Sequence, residues 1–315
     1  MEEIEGDNMK ILITGVNGQL GFDVARELDL RGIDFCATDI TEKYAGITNN
    51  DLTNKMSYHK MDITNEKEVE EVFHLVKPDA VIHCAAWTAV DHAEDEENKE
   101  KVYNINVVGT RNIAKSAKAL DAKMIYISTD YVFNGEGNTP WEPDCKDYDP
   151  VSYYGKTKLE GEFEVEKLLT KYFIVRIAWV FGINGKNFIK TILKLSKTKE
   201  SINVVNDQIG TPTYTYDLSR LLVDMINTEK YGYYHATNEG GFISWYDFTK
   251  AICENANLVM KVFPVTTEEY GLNKARRPLN SRLSKDKLVK NGFKPLPTWE
   301  EALKHYLKQI DIDNL

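Results

Sequence analysis

Along roughly the first 180 residues, short apolar and β-branched runs alternate with stretches whose apolar side chains recur every three or four positions. Six runs read as strands: 10–14 (KILIT), 33–39 (IDFCATD), 58–62 (YHKMD), 80–86 (AVIHCAA), 122–128 (AKMIYIS) and 173–178 (FIVRIA). Between them, Leu20, Val24 and Leu28 fall at helical spacing, as do Val69, Val72, Phe73 and Val76 before Pro78 ends the pattern. Strands that read as continuous apolar runs are covered on both faces, and their alternation with helices predicts an α/β fold, a Rossmann-like doubly wound parallel sheet. Beyond Gly182 the rhythm changes. Helical segments at about 187–198, 215–227, 244–256 and 299–309 alternate with short strands and proline-containing loops, which predicts a smaller α/β lobe packed beside the first. The expected units are 9–182, including a helix over 151–170, and 183–310, partly interleaved with the first. No long Gly/Ser/Pro linker, low-complexity tract or internal repeat separates them.

Composition narrows the partners. A chain of 315 residues suits two such units, and 42% hydrophobic residues exclude a disordered chain. No run approaches the ~18 consecutive apolar residues that a membrane span needs. The acidic start MEEIEGD lacks an apolar core and is not expected to act as a secretory signal. A formal charge of −10 argues against nucleic acid, which requires a basic face. Cys36, Cys84, Cys145 and Cys253 are scattered without a C-x-x-C pair, so neither a disulfide framework nor a zinc site is expected, and a reducing cytoplasm fits. The histidines form no H-x-x-x-H pattern, and no protein-built metal site is expected.

The strongest local signal is Thr14-Gly15-Val16-Asn17-Gly18-Gln19-Leu20-Gly21, which follows the first strand and opens the first helix. Glycines there let the backbone turn tightly and approach a pyrophosphate seated on the helix N-terminus, so a dinucleotide cofactor is expected on this loop. Asp39 ends the second strand near the offset at which an acid hydrogen-bonds the adenosine ribose. The same carboxylate repels a 2′-phosphate, which favours NADH over NADPH, with Lys43 close by as a countervailing charge. Asp62 and Ile63, after the third strand, are placed to cap the adenine.

The ligand crevice of such a sheet lies at the carboxyl ends of its strands. Ala85, Ala86 and Thr88 are delivered there by strand four, Ser128, Thr129, Asp130 and Tyr131 by strand five, and Tyr154 and Lys158 by the helix that follows. Tyr154 and Lys158 are four apart and share a helix face. A lysine ammonium favours the phenolate of a nearby tyrosine and would lower its pKa toward working pH. Gly155-Lys156-Thr157 imitates the end of a P-loop, but the glycine required five positions earlier is Pro150, so ATP hydrolysis is not supported.

With these motifs in place, the chain resembles the extended short-chain dehydrogenase/reductases, and among them the dTDP-4-dehydrorhamnose reductase family. The matching segments are TGVNGQLG, AAWTAVDHAE, STDYVF, SYYGKTKLEGE, RIAWVFG, NFIKTIL, VVNDQIGTPT, SWYDF and ARRPLNSRLS, which run from residue 9 to about 284. The resemblance implies a Thr129–Tyr154–Lys158 catalytic group: Tyr154 protonates the C4 oxygen of a dTDP-4-ketosugar, Lys158 binds the nicotinamide ribose, and Thr129 hydrogen-bonds the carbonyl. It implies that Asp130, Tyr131 and Trp179 line the sugar pocket. It also makes the smaller α/β lobe, 183–310, mainly the nucleotide-sugar (substrate-binding) lobe, with Asn187, Arg276, Arg277 and Arg282 as candidates for holding the nucleotide. A dehydratase of the same superfamily carries an acid where this chain has Tyr131, which disfavours that activity. Two more activities fit the same motifs: reduction of a different nucleotide-4-ketosugar, and the role of a cofactor-binding regulatory subunit like that of methionine adenosyltransferase. Some members are dimers bridged by magnesium through glutamates. Here those positions are Asp23 and Tyr216, which leaves magnesium uncertain and makes monomer and homodimer equal expectations.

Overall fold

The computed structural model describes residues 9–48, 50–312 and 314; the acidic start lies outside them. Six strands open the chain: β1 (Ile11–Thr14), β2 (Phe35–Asp39), β3 (Ser57–Lys60), β4 (Ala80–His83), β5 (Lys123–Thr129) and β6 (Tyr172–Ile177). A seventh, β7 (Gly232–His235), joins them in the order β7-β6-β5-β4-β1-β2-β3. Every pairing in this sheet is parallel. All four residues of β1 and of β4 are buried, as strands covered on both faces must be.

The helices that bear on the site are α1 (Gln19–Leu30), α2 (Glu66–Val76), α3 (Thr110–Ala119), α4 (Tyr153–Leu168), α5 (Phe188–Ser196), α6 (Thr215–Ile226), α7 (Trp245–Asn255) and α8 (Trp299–Gln309). One face of the sheet is covered by α1 and α6, through Leu20, Val24 and Leu28 on the former and Leu218, Leu221 and Leu222 on the latter. The other face buries Val69, Val72 and Phe73 of α2, Ile113 and Ala114 of α3, and Val165 of α4. A separate apolar cluster joins α5, α7 and α8 through Leu193, Phe248, Ile252 and Leu303. Short strand pairs at 201–205 with 261–265, and at 209–210 with 243–244 and 280–281, complete that lobe.

Both β7 and α6 lie in the range expected to form mainly the second lobe, yet they extend the main sheet and cover its face. The strand order reverses where β1 separates β2 from β4, and this is where a doubly wound sheet opens a crevice at its carboxyl edge.

Candidate active site

A cleft of about 830 Å³ occupies that edge. Its first wall is the glycine loop. Gly15 has φ +74°, and a Cβ on it would lie 2.6 Å from the Ala85 nitrogen, so loop and β4 meet in a way only glycine permits. Gly18 caps α1 without any side-chain hydrogen bond, leaving the positive end of a twelve-residue helix facing the cleft. Asp39 braces the loop: one oxygen accepts from the Asn17 nitrogen (2.9 Å), the other from the Ile40 nitrogen (2.8 Å). Asp62 also lines the cleft, with one oxygen taken up by the Thr64 nitrogen and hydroxyl.

The opposite wall comes from β5 and α4. The Thr129 hydroxyl donates to Asp130 Oδ1 (3.1 Å) and accepts from the Tyr131 nitrogen (3.2 Å). Ser281, from the second lobe, donates to Asp130 Oδ2 at 2.5 Å, so the two lobes are tied through this carboxyl. Burial pushes Asp130 up to about 6, against the hydrogen bonds from Ser281 and Thr129. The Tyr154 ring meets Tyr131 edge-on, with centroids 5.6 Å apart. Tyr154 belongs to a helix whose start is fixed twice: Ser152 accepts from the Gly155 nitrogen (3.1 Å), and Glu94 accepts from the Tyr153 nitrogen (2.7 Å).

The phenol of Tyr154 is pushed up by burial first and by Asp130 and Tyr131 next; the Thr129 hydroxyl opposes them. The expected lowering by Lys158 is not found. Lys158 is not among the groups that act on the phenol; its ammonium lies instead over the Tyr126 ring, 4.0 Å from its centroid. The phenol therefore stays protonated across the working range, the state a proton donor needs. Burial, opposed by Glu162, brings Lys158 itself down to about 7.

The cleft brings together Gly15, Asn17, Gly18, Gln19, Leu20, Gly21, Asp39, Asp62, Ile63, Ala85, Ala86, Thr88, Thr129, Asp130, Tyr131, Tyr154, Lys158 and Trp179. Four residues expected at the site are placed otherwise. Asn187 caps α5: its oxygen accepts from the Lys190 nitrogen, and its amide donates to the Gly182 carbonyl, Gln19 and Tyr306, so no part of it is left for a nucleotide. Arg277 pairs with Asp91 (2.6 Å) and donates to the Tyr131 hydroxyl (3.1 Å), reaching the cleft only through that tyrosine. Arg282 bonds Asn280 (3.0 Å) and covers Phe242, while Arg276 is exposed; neither lines the cleft.

Ser128, expected at the crevice from its strand-end position, lines the cleft, and its hydroxyl is buried without a hydrogen-bond partner among the described residues. Sequence reasoning missed Asn106 and Trp245. Asn106 links the loop after β4 to α4, accepting from the Trp87 nitrogen (2.8 Å) and donating to Thr157 (3.0 Å). It sits in a π-helical stretch, Asn104–Gly109, a distortion that periodicity cannot announce. Trp179 has φ +51°, costly for a tryptophan, and stacks on Trp245 with centroids 3.9 Å apart.

The family described as RmlD substrate binding domain matches residues 9–312, nearly the whole described chain. The chain belongs to this family. Similar proteins include the spore coat polysaccharide biosynthesis protein SpsK of Bacillus subtilis, 40% identical over 95% of this chain and 97% of that protein. A dTDP-4-dehydrorhamnose reductase of Shigella flexneri is 36% identical over 96% of this chain and 98% of its own length. Among solved structures, dTDP-4-dehydrorhamnose reductase from Bacillus anthracis, in complex with NADP, superposes with a TM-score of 0.86 at 39% identity, covering 96% of this chain and all of that one. The RmlD family match spans both lobes, so it covers the second lobe as fully as the glycine loop.

Proposed function

We propose that this protein is an NAD(P)H-dependent reductase that converts the C4 keto group of dTDP-4-dehydro-L-rhamnose to the alcohol of dTDP-L-rhamnose, the last step in making that activated sugar. The observation that carries the reading is the Thr129, Tyr154 and Lys158 cluster, set in one cleft opposite the glycine loop. The reductases among the relatives, and the NADP in the Bacillus anthracis structure, support the substrate and the cofactor class.

The residues fit a nicotinamide dinucleotide. The uncapped N-terminus of α1 and the glycine loop suit its pyrophosphate, Asp39 its adenosine ribose, and the orphaned Ser128 hydroxyl leaves a polar atom in the wall for a ligand to satisfy. When bound, a reduced nicotinamide supplies the hydride. The chain does the rest: Tyr154 passes its phenolic proton to the C4 oxygen as the hydride adds to C4, and Thr129 turns its hydroxyl from Asp130 to the same oxygen. Lys158 would hold the nicotinamide ribose, and its positive charge close to the site stabilises the phenolate left when Tyr154 gives up its proton. Asp130, Tyr131 and Trp179 wall the sugar. Asp39 favours NADH, because a second negative charge on the ribose would meet its carboxylate.

The test is consumption of NADH and of NADPH by purified protein with a panel of nucleotide-4-ketosugars. Turnover highest with dTDP-4-dehydro-L-rhamnose is expected. Cofactor binding without turnover of any ketosugar would overturn the reductase reading in favour of a binding subunit.

A further inference from the structure

The ammonium of Lys158 is nearly sealed from solvent, with the residue 3% exposed, and among the described residues it makes neither a hydrogen bond nor an ion pair. It lies instead on the face of Tyr126, 4.0 Å from ammonium to ring centroid. Tyr126 is held rigidly for this. The residue is fully buried on β5, its hydroxyl donates to the Lys158 carbonyl (3.2 Å), and its ring stacks on His83. A Cβ at Gly161 would stand 2.3 Å from that hydroxyl, so the helix leaves room for the ring only because glycine is there. Lysine and ring thus embrace: the backbone carbonyl binds one end of Tyr126 while the ammonium covers its face.

Among the described residues, no unpaired carboxylate bonds the ammonium in place of the ring. On α4 itself, Glu162 is gripped through both oxygens by Arg176 of β6 (2.8 and 2.7 Å), a pair that presents little net charge. At the end of β4, burial keeps His83 neutral, down to about 3, and the Cys84 thiol neutral, up to about 12. The Tyr154 phenol on α4 is protonated as well. Burial pulls the ammonium toward losing its proton, Glu162 opposes this only in part because Arg176 already grips it, and the aromatic face is the group in direct contact that stabilises the charge.

We propose that Tyr126 is a positioning residue of the reductase site, the aromatic seat that keeps Lys158 charged and aimed at the cleft; this rests on the function proposed above. The experiment reads the lysine directly. In protein labelled with ¹³C at lysine Cε, the Lys158 signal, assigned by its loss in Lys158→Met, is titrated in wild type, Tyr126→Phe and Tyr126→Leu. Tyr126→Phe keeps the ring and should titrate close to wild type. Tyr126→Leu should titrate about one pH unit lower, the tenfold equivalent of a moderate cation–π contact. Phenylalanines carrying one, two or three ring fluorines at position 126 preserve the packing should the leucine variant fail to fold, and should lower the midpoint stepwise. A midpoint that stays put through the fluorine series overturns the proposal. The alkaline limb of turnover should move with the midpoint. A midpoint that moves in a protein without turnover would leave the seat standing and defeat the reductase reading instead.

Discussion

Asp23 offers a prediction whose size follows from the structure. Its carboxyl lies in the seam between α1 and α6, 1% exposed, accepting from Thr215 at 2.5 Å with Arg26 at 3.3 Å. Burial pushes it from 3.8 to about 6, more than Thr215 and Arg26 pull it back. An acid with a raised pKa in the folded state binds its proton more tightly there than in the unfolded chain. Its contribution is therefore fully present below pH 3.8 and is lost as pH rises through 6. At roughly 1.4 kcal/mol per tenfold change in proton affinity, the ionised group costs the folded protein about 3 kcal/mol at pH 8, and about half of that at pH 5. Asp23→Asn keeps an oxygen for Thr215 and removes the titration. The variant should gain stability over wild type as pH rises, the gap widening by about 1.5 kcal/mol between pH 5 and pH 8. Urea unfolding at both pH values measures it, with circular dichroism and tryptophan fluorescence required to report one transition. A gap that stays constant or narrows with pH would refute the idea that desolvation governs this carboxyl.

Tyr154→Phe should leave cofactor affinity nearly unchanged while turnover falls by the ~10²–10⁴ expected of a positioned acid; activity within a few-fold of wild type would remove Tyr154 as donor. Arg176 and Glu162 are both fully buried and joined by two hydrogen bonds, so Arg176→Met should destabilise by about 3–5 kcal/mol in urea, and adding Glu162→Leu should recover most of it. If the double variant is no more stable than the single one, the stranded carboxylate is not the cause. For Asp39→Ala, NADH affinity should drop relative to NADPH, and an unaltered ratio would show that Asp39 does not read the ribose. Magnesium should not change the sedimentation of the protein, since Asp23 is buried on Thr215 and Tyr216 offers no carboxylate; a magnesium-dependent dimer would contradict this.

The glycine-loop half of the cleft was legible in the sequence because its signals are local. A glycine loop between strand and helix, and side chains at consecutive strand ends, are fixed by the chain within a few residues of one another. The second-lobe half depends on contacts that cross the chain. Ser281 reaches Asp130 over 151 positions and Arg277 reaches Asp91 over 186. Spacing cannot foretell which arginine finds which acid, so Arg277 looked free for phosphate when it is paired. Asn187 is engaged for a different reason: an asparagine ahead of Phe-Ile-Lys is an ordinary helix cap, a local role that the resemblance does not announce. The strand Gly232–His235 went unrecognised because a four-residue run of glycine, two tyrosines and histidine lacks the aliphatic signature of its neighbours, although three of its four residues are buried at the sheet edge.

The charge balance has a consequence for how an anionic ligand is held. With a net charge of −10, the long-range field opposes a diphosphate, so approach cannot rest on steering. Among the described residues lining the cleft, the cations are Lys158 and the exposed Lys186, against Asp39, Asp62 and Asp130. Arg277, the obvious supplement, is offset by Asp91. What is left is short-range: the N-terminus of α1 with its uncapped N–H groups, which attracts an anion only within about a helical turn. A site built this way discriminates by fit rather than by field. It also gives the charge on Lys158 unusual weight, because deprotonating that one residue removes half of the cationic side chains in the cleft. On the proposal made above for Tyr126, the ring beneath Lys158 bears on the cationic charge of the cleft as well as on the tyrosine's proton.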